Sequence, residues 1–295
     1  MISTPQEEID PKWLILHAKL FEEKIKQAFR IFRQSEIEPV LIKGWAAARF
    51  YTNKSERFYT DIDLCVEPGL FHKASELLKN EEAKKLAIDL HSGFRHLDTV
   101  SWENLFRKSQ LVNLDEINIR VLRPEDHLRI LCVHWLTDGG AYREKLKDIY
   151  FAIENRPADF DWGRCLGVVS ENRRRWIVCT IGLAKKYFGL SLKNTPIELE
   201  AENLPEWLIR AVEKEWMSDV RLLPLHRFYH DRKRLWQQIR KRVPPNPIQA
   251  TVELEGNFDD SPRIYYQIKS IFTRMIPFLK RFKINVQNSQ RNSHK

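Results

Sequence analysis

Two aspartates, Asp61 and Asp63, interrupt an otherwise apolar run in the stretch YTDIDLCV, residues 59–66. In an extended strand, residues two apart share a face, so the two carboxylates aim together while Ile62 and Leu64 turn to the other side. Desolvating like charges side by side costs on the order of several kcal/mol unless a cation sits between them. The same parity recurs in AIDLH, residues 87–91: Asp89 and His91 share one face, Ile88 and Leu90 the other. If these two strands are neighbours, three carboxylates converge. A pair of Mg²⁺ ions, about 3.5–4 Å apart in two-metal sites, makes such a cluster tolerable, with Mn²⁺ as the alternative.

Upstream, the apolar segment EPVLI at residues 38–42 runs into Lys43-Gly44 and then into WAAARFY, residues 45–51. A strand ending in Lys-Gly and followed at once by a helix gathers free backbone N–H groups, a dipole end and an ammonium at one point. Gly44 leaves room for close approach, so the expectation is an anion site suited to polyphosphate. A phosphate cradle beside a metal-binding carboxylate set specifies phosphoryl or nucleotidyl transfer in outline. An Asp-x-Asp, a Lys-Gly or a single histidine is common by itself. The order strand, Lys-Gly, helix, loop, strand with Asp-x-Asp, helix, strand with Asp is not.

The elements that must hold these residues follow from periodicity. Residues 12–35 carry leucine and phenylalanine at helical spacing with Lys and Glu between them, predicting a long amphipathic helix. Residues 53–60 read as a polar, basic loop, FHKASELLKN as a helix, LAIDLH as a second buried strand, and 111–122 as strand-like. From Pro124 onward the period is helical, with Pro124 suited to a first turn and Glu125 and Asp126 placed near the helix dipole. The expected fold class is α+β: a small mixed sheet flanked by helices over residues 1–122, an all-helical domain over 123–285, and a frayed polar tail at 286–295.

Composition bounds the function classes. At 295 residues, 43% hydrophobic and with nine tryptophans, the chain is globular and long enough for two cores. The apolar runs are short and broken by charge, so no segment is expected to span a bilayer. The polar, acidic start reads against a secretory leader. Cys65, Cys132, Cys165 and Cys179 are far apart, with no Cys-x-x-Cys, and read as core cysteines of a cytoplasmic protein. The net charge of +9 is carried by the second half. Residues 221–243 hold most of it, with Phe228, Tyr229 and Trp236 interleaved. That pattern suits an anionic partner such as single-stranded nucleic acid, or an amphipathic helix with leucines inward and arginines in water.

The segments LIKGWAAARFY, RFYTDIDLCV, AIDLH, LRPEDHLRILCVHW, LKDIYFAI and DW, taken together, resemble an uncharacterised nucleotidyltransferase family of the polymerase-beta-type superfamily. Its members read LKG-x-A-x-A-x-x-Y, R-x-x-D-I-D-L-h-V, h-D-L-H, L-x-P-E-D and L-C-x-H. The likeness covers roughly residues 39–188. It implies an Mg²⁺-dependent enzyme that moves NMP from an NTP to an acceptor hydroxyl or phosphate and releases pyrophosphate. By the same resemblance Asp61 and Asp63 ligate metal, and Asp89 ligates the second ion and helps deprotonate the acceptor. Lys43, Gly44 and Arg57 hold the triphosphate. His91 and His134 fall on family positions without an assignable role.

Three departures stand out. Trp45 occupies the place where superfamily members carry a phosphate-touching serine. The spacing from Asp63 to Asp89 is short, leaving little inserted structure to cover base or acceptor. Lys145 and Lys147 stand where relatives are apolar or aromatic, and read either as cleft cations or as a solvated face. The acceptor classes left open are a small metabolite, a peptide or protein, and an RNA 3′ end. The competing readings are a nucleic-acid-binding or regulatory module without turnover, and γ-phosphate transfer on the same scaffold.

Overall fold

The computed structural model describes residues 10–223, 225–228 and 231–274. The tail expected at 286–295, the end of the helical domain and Tyr229 lie outside these residues. Helix α1 spans Pro11–Gln34, followed by strand β1 (Val40–Ile42), helix α2 (Gly44–Ala48), β2 (Ile62–Val66), α3 (Phe71–Leu77), α4 (Glu81–Lys84) and β3 (Ile88–Ser92). Helix α5 (Trp102–Lys108) leads into the hairpin β4 (Gln110–Leu114) and β5 (Ile117–Val121). The chain then turns helical: α6 (Pro124–Thr137), α7 (Leu146–Glu154), α8 (Trp162–Leu166), α9 (Glu171–Phe188), α10 (Glu206–Trp216), α11 (Arg232–Arg242) and α12 (Pro247–Glu253). The fold is α+β.

Among the described residues the sheet has five strands in the order β3-β2-β1-β5-β4. It is mixed: β2 pairs parallel with β3 and antiparallel with β1, while β1 runs parallel to β5. Side-chain alternation sends Leu41, Ile62, Leu64, Val66 and Val121 to one face. There Phe21, Ile25, Phe29 and Phe32 of α1 cover them. Phe29 and Phe32 are fully buried, each worth about 2–3 kcal/mol of hydrophobic stabilisation. Asp10 caps α1 by accepting from the Lys12 N–H at 2.9 Å, ahead of Pro11 in the first turn.

The opposite face presents Val40, Ile42 and Cys65, which pack against Ile130 and Val133 of α6. The other side of α6, through Leu128, Leu131, Cys132, Trp135 and Leu136, belongs to the helical core with α7, α9 and α12. Helix α6 is therefore buried all round and joins the sheet to the helices. The four cysteines are free and buried, as their apolar contexts led one to expect.

One strand differs from expectation. The segment around Asp89 reads as a buried strand, yet β3 is the edge of the sheet and only half covered. Its apolar members Ile88 and Leu90 pack on the α1 side, while on the other face the His91 side chain is largely covered and that of Asp89 is open to solvent.

Candidate active site

The strand register decides which carboxylates meet. Asp63 in β2 stands directly beside Asp89 in β3, and both point to the α6 face. His91, two residues along β3, places Nε2 3.1 Å from Asp63 Oδ1 and 3.2 Å from Asp89 Oδ2. One ligand atom from each of these three side chains lies within 4.8 Å of the other two. Asp63 is buried, whereas the Asp89 side chain is 53% exposed.

The cation on Asp63 is Lys43, whose Nζ contacts Oδ1. Burial pushes the Asp63 carboxyl up, but His91 and Lys43 outweigh it and hold the group below its ordinary value. Asp61 sits in the bend before β2 and is more open. Its pKa is raised by burial and then by the charges of Asp63 and Asp89, against the pull of Lys43 and Lys145. Asp61 thus shares the electrostatic field of the cluster, while its oxygens stand outside the tight trio.

Lys43 reaches this position through an unusual backbone. Its φ of 52° with ψ of −142° lies in a region that residues with a Cβ rarely adopt. The Lys43 N–H donates to His127 Nε2 at 3.0 Å, so the turn is held by an imidazole from α6. His127 is fully buried, which drives its pKa down to about 3, with the nearby Arg49 adding to the effect. The ring is neutral and accepts through Nε2, so Nδ1 carries the proton, and it finds no partner among the described residues. Sequence reasoning missed His127 entirely.

Gly44 follows at φ +23°, a value that favours glycine. Helix α2 is five residues long, too short for much of a macrodipole, so the positive charge of the cradle comes chiefly from Lys43. Trp45 turns away into the core under α1 and donates its indole N–H to Glu22 at 2.9 Å. The side chain at this position is therefore spent on core packing rather than on the cradle.

Residues 12–189 match the uncharacterised nucleotidyltransferase family. The chain belongs to it. No curated protein and no solved structure matches the chain. As a nucleotidyltransferase the protein is an enzyme, and its remaining charged segments sort into two roles.

The PED segment at 124–126 is structural. Glu125 accepts from the Asp161 N–H at 3.1 Å, and Asp126 binds Arg129 at 2.7 Å and contacts Arg164. Asp148 of α7 accepts from Tyr51 Oη and from Arg57 Nε, both at 2.6 Å. This clamp ties the 53–60 loop to the helical part and holds Arg57 near Asp61, whose charge raises the guanidinium pKa further. Burial opposes that rise, and Asp148 is the main cause of it.

Opposite the carboxylates, His134 of α6 stands 3.7 Å from Asp138, which accepts from Lys145 Nζ at 2.9 Å. Burial brings His134 down to about 4, with Lys43 and Lys145 adding to the depression and Asp138 and Asp63 opposing it. Lys145 thus faces the cleft. Lys147 pairs with Glu144 at 2.7 Å and lies on the solvated side.

In the basic segment, α11 buries Gln238 rather than leucine. Gln238 accepts from the Leu223 N–H at 2.9 Å and donates to the Arg221 carbonyl at 2.8 Å. Trp236 and Ile239 remain exposed. The helix leans on a neighbouring loop through Gln238, with Leu235 half-buried on the same side and Arg232, Lys233, Arg234 and Arg240 exposed. Among the described residues no helix is long and apolar enough to cross a membrane.

Proposed function

We propose that this nucleotidyltransferase transfers NMP from an NTP to an acceptor hydroxyl or phosphate, releasing pyrophosphate, with Mg²⁺ or Mn²⁺ held by Asp63, Asp89 and Asp61. The observation that carries this reading is the in-register pair Asp63 and Asp89, with Lys43 against Asp63 at the end of the neighbouring strand. The donors fit a hard divalent cation: carboxylate oxygens from adjacent strands, one set buried and one open to solvent. When bound, such an ion neutralises the carboxylates and polarises the triphosphate.

The chain's own residues supply the rest. Lys43 is the nearest cation to any phosphate brought to Asp63, and its backbone is fixed by His127. Arg57, with its fork held by Asp148, adds positive charge on the Asp61 side. Asp89, exposed at the sheet edge, is placed to take a proton from an acceptor hydroxyl as that oxygen attacks the α-phosphorus and the bond to the β-phosphate oxygen breaks. His91 ties the two strand carboxylates together and orients both. Lys145 and His134 close the far side of the cleft.

Incubation with α-labelled and, separately, γ-labelled NTP, Mg²⁺ and a cell extract tests the assignment. Label from the α position should enter an acceptor while unlabelled pyrophosphate is released. Transfer of the γ label instead makes the protein a phosphotransferase, and absence of either transfer overturns the reading.

A further inference from the structure

Two neighbouring helices of the C-terminal part are built inside out. The chain is helical over residues 264–274, and three polar side chains of that helix face the protein. Gln267 donates to the Pro245 carbonyl at 2.6 Å, and Ser270 and Arg274 donate to Glu253 of α12 at 2.6 and 3.0 Å. Tyr266 lies so close to Gly256 that a Cβ there would clash with its ring. The apolar side chains face water instead. Ile264, Ile268 and Phe272 recur at i, i+4 and i+8 on one stripe, and all three are exposed, Phe272 to 59%.

Helix α11 repeats the arrangement. It buries Gln238 against the 221–223 backbone, while Trp236, Ile239 and Val243 stand outward at i, i+3 and i+7, Trp236 being 65% exposed. At about 3.6 residues per turn, Arg232 flanks this stripe on one side and Lys233 and Arg240 on the other. All three cations are exposed. Asp231, at the start of the helix, pairs with Arg234 at 3.4 Å, and Arg232, Lys233 and Arg240 have no carboxylate partner among the described residues. Val243 and Ile271 line one cavity, and Gln267 bonds two residues beyond Val243, so the two stripes belong to adjoining helices.

Water-facing stripes of this kind are unfavourable until something covers them. Charge says what that is. Residues 221–295 hold 16 Lys/Arg against 5 Asp/Glu, whereas the rest of the chain holds 33 against 35. Beyond Asp260 the sequence has no Asp or Glu at all. A second copy of this surface would bring like charge to like charge, and the chain's own residues 275–295 offer no acidic side chain to Lys233 or Arg240. Single-stranded nucleic acid would meet the cations but not the stripes, because Ile239, Val243, Ile264 and Ile268 have no ring on which a base can stack. An anionic bilayer meets both: its headgroups take the cations, while isoleucine, tryptophan and phenylalanine enter the boundary between headgroups and acyl chains. No helix among the described residues is long and apolar enough to cross a membrane, and these two would lie along its surface.

We propose that α11 and the 264–274 helix form a docking surface for an anionic lipid bilayer, with Arg232, Lys233 and Arg240 on the headgroup phosphates and the two apolar stripes dipped below them. The surface shares no residue with the carboxylate site, so it stands whether or not the nucleotidyl-transfer reading does.

Flotation of the full chain with vesicles tests it. The protein should float with phosphatidylcholine vesicles containing about a third phosphatidylglycerol, come off as salt is raised, and stay behind with pure phosphatidylcholine. Two variants separate the contributions. Arg232→Gln/Lys233→Gln/Arg240→Gln and Trp236→Gln/Ile268→Gln/Phe272→Gln should each weaken binding roughly tenfold or more. The replaced side chains stand in water and glutamine is a good helix former, so neither variant should lower the melting temperature without lipid. Failure to float with the anionic vesicles overturns the proposal, including the case in which a single-stranded oligonucleotide is bound instead. Undiminished flotation of the apolar variant overturns it too, since charge alone would then account for the binding. A lowered melting temperature of that variant without lipid, or a wild-type dimer that it dissociates, does the same, because the stripes would then be covered by protein.

Discussion

Around Arg129 every buried charge touches an opposite one, whereas around Asp63 the acids outnumber their cations. Arg129, fully buried in α6, bonds Asp98 at 2.9 Å, Asp126 at 2.7 Å and the Arg164 carbonyl at 2.9 Å, and Arg164 completes Asp126 from the other side. On the other side of the same helix, Asp61, Asp63 and Asp89 share one direct lysine contact and one histidine. Burial is similar for Asp126 and Asp63, so desolvation alone does not separate the two places. Satisfaction does. A cluster whose members are all paired holds elements together. One left with an excess of acid carries a standing repulsion that a ligand cation would relieve.

The largest effects should come from inverting that contrast. Arg129→Met leaves the buried Asp98 with no cation and Asp126 with Arg164 alone, and should cost about 3–5 kcal/mol of stability in chemical denaturation. Asp61→Asn should do the opposite: its carboxyl is raised by burial and by Asp63 and Asp89, so neutralising it should increase stability. Its nucleotidyl transfer should nevertheless fall, by on the order of tenfold or more, because a carboxylate proposed to hold the metal is lost. If Asp61→Asn unfolds as readily as Arg129→Met, the two clusters obey one rule and the contrast is broken.

Lys43 offers a finer test, because it belongs to the unsatisfied cluster both as a partner of Asp63 and as a cation for phosphate. Lys43→Ala should weaken NTP far more than NMP, by about 1.5–3 kcal/mol, as expected for a charge-assisted hydrogen bond to a terminal phosphate. Calorimetric titration of both nucleotides decides it. Equal losses would confine Lys43 to neutralising Asp63.

The difference between the clusters also marks what the sequence could show. Period-two alternation put Asp61 with Asp63 and Asp89 with His91; the strand register brings Asp63, Asp89 and His91 together, while Asp61 lies in the bend before β2, where alternation no longer governs. The edge position of β3 was not legible, since it depends on which strand lies outermost. His127 was hidden for a similar reason. It lies 84 residues from Lys43, inside a helix that reads as core, and its role rests on a hydrogen bond no spacing announces. Asp148 was visible as an acid in an apolar helix, yet its partners Tyr51 and Arg57 are 97 and 91 residues away. The strain at Lys43 likewise arises from the tertiary anchor, since Lys-Gly alone calls for a turn at the glycine.

His127 lies between the two clusters and can show whether they are coupled. It shares α6 with Asp126 and Arg129 but spends its Nε2 lone pair on the strained Lys43 N–H. Protonation would turn that acceptor into a donor and remove the anchor. Its pKa falls from 6.5 in the unfolded chain to about 3 when folded, so between those values the unfolded state binds the extra proton. The stability it contributes is therefore present above pH 6.5 and is lost as pH falls toward 3. Stability should drop by about 1.4 kcal/mol per pH unit in that window, or about 2 kcal/mol between pH 7 and pH 5. His17, His96 and His134 are lowered as well and add in the same direction, whereas the raised Asp61 opposes them at the acid end. In His127→Gln, whose amide oxygen can still accept from Lys43, the slope should flatten while NTP affinity at pH 7 changes little. In His127→Leu the slope should flatten equally, but NTP affinity should fall toward that of Lys43→Ala because nothing holds the turn. Wild-type NTP affinity in His127→Leu would mean that the cradle keeps its shape without α6, and that the paired and unpaired clusters stand independently on the two sides of that helix.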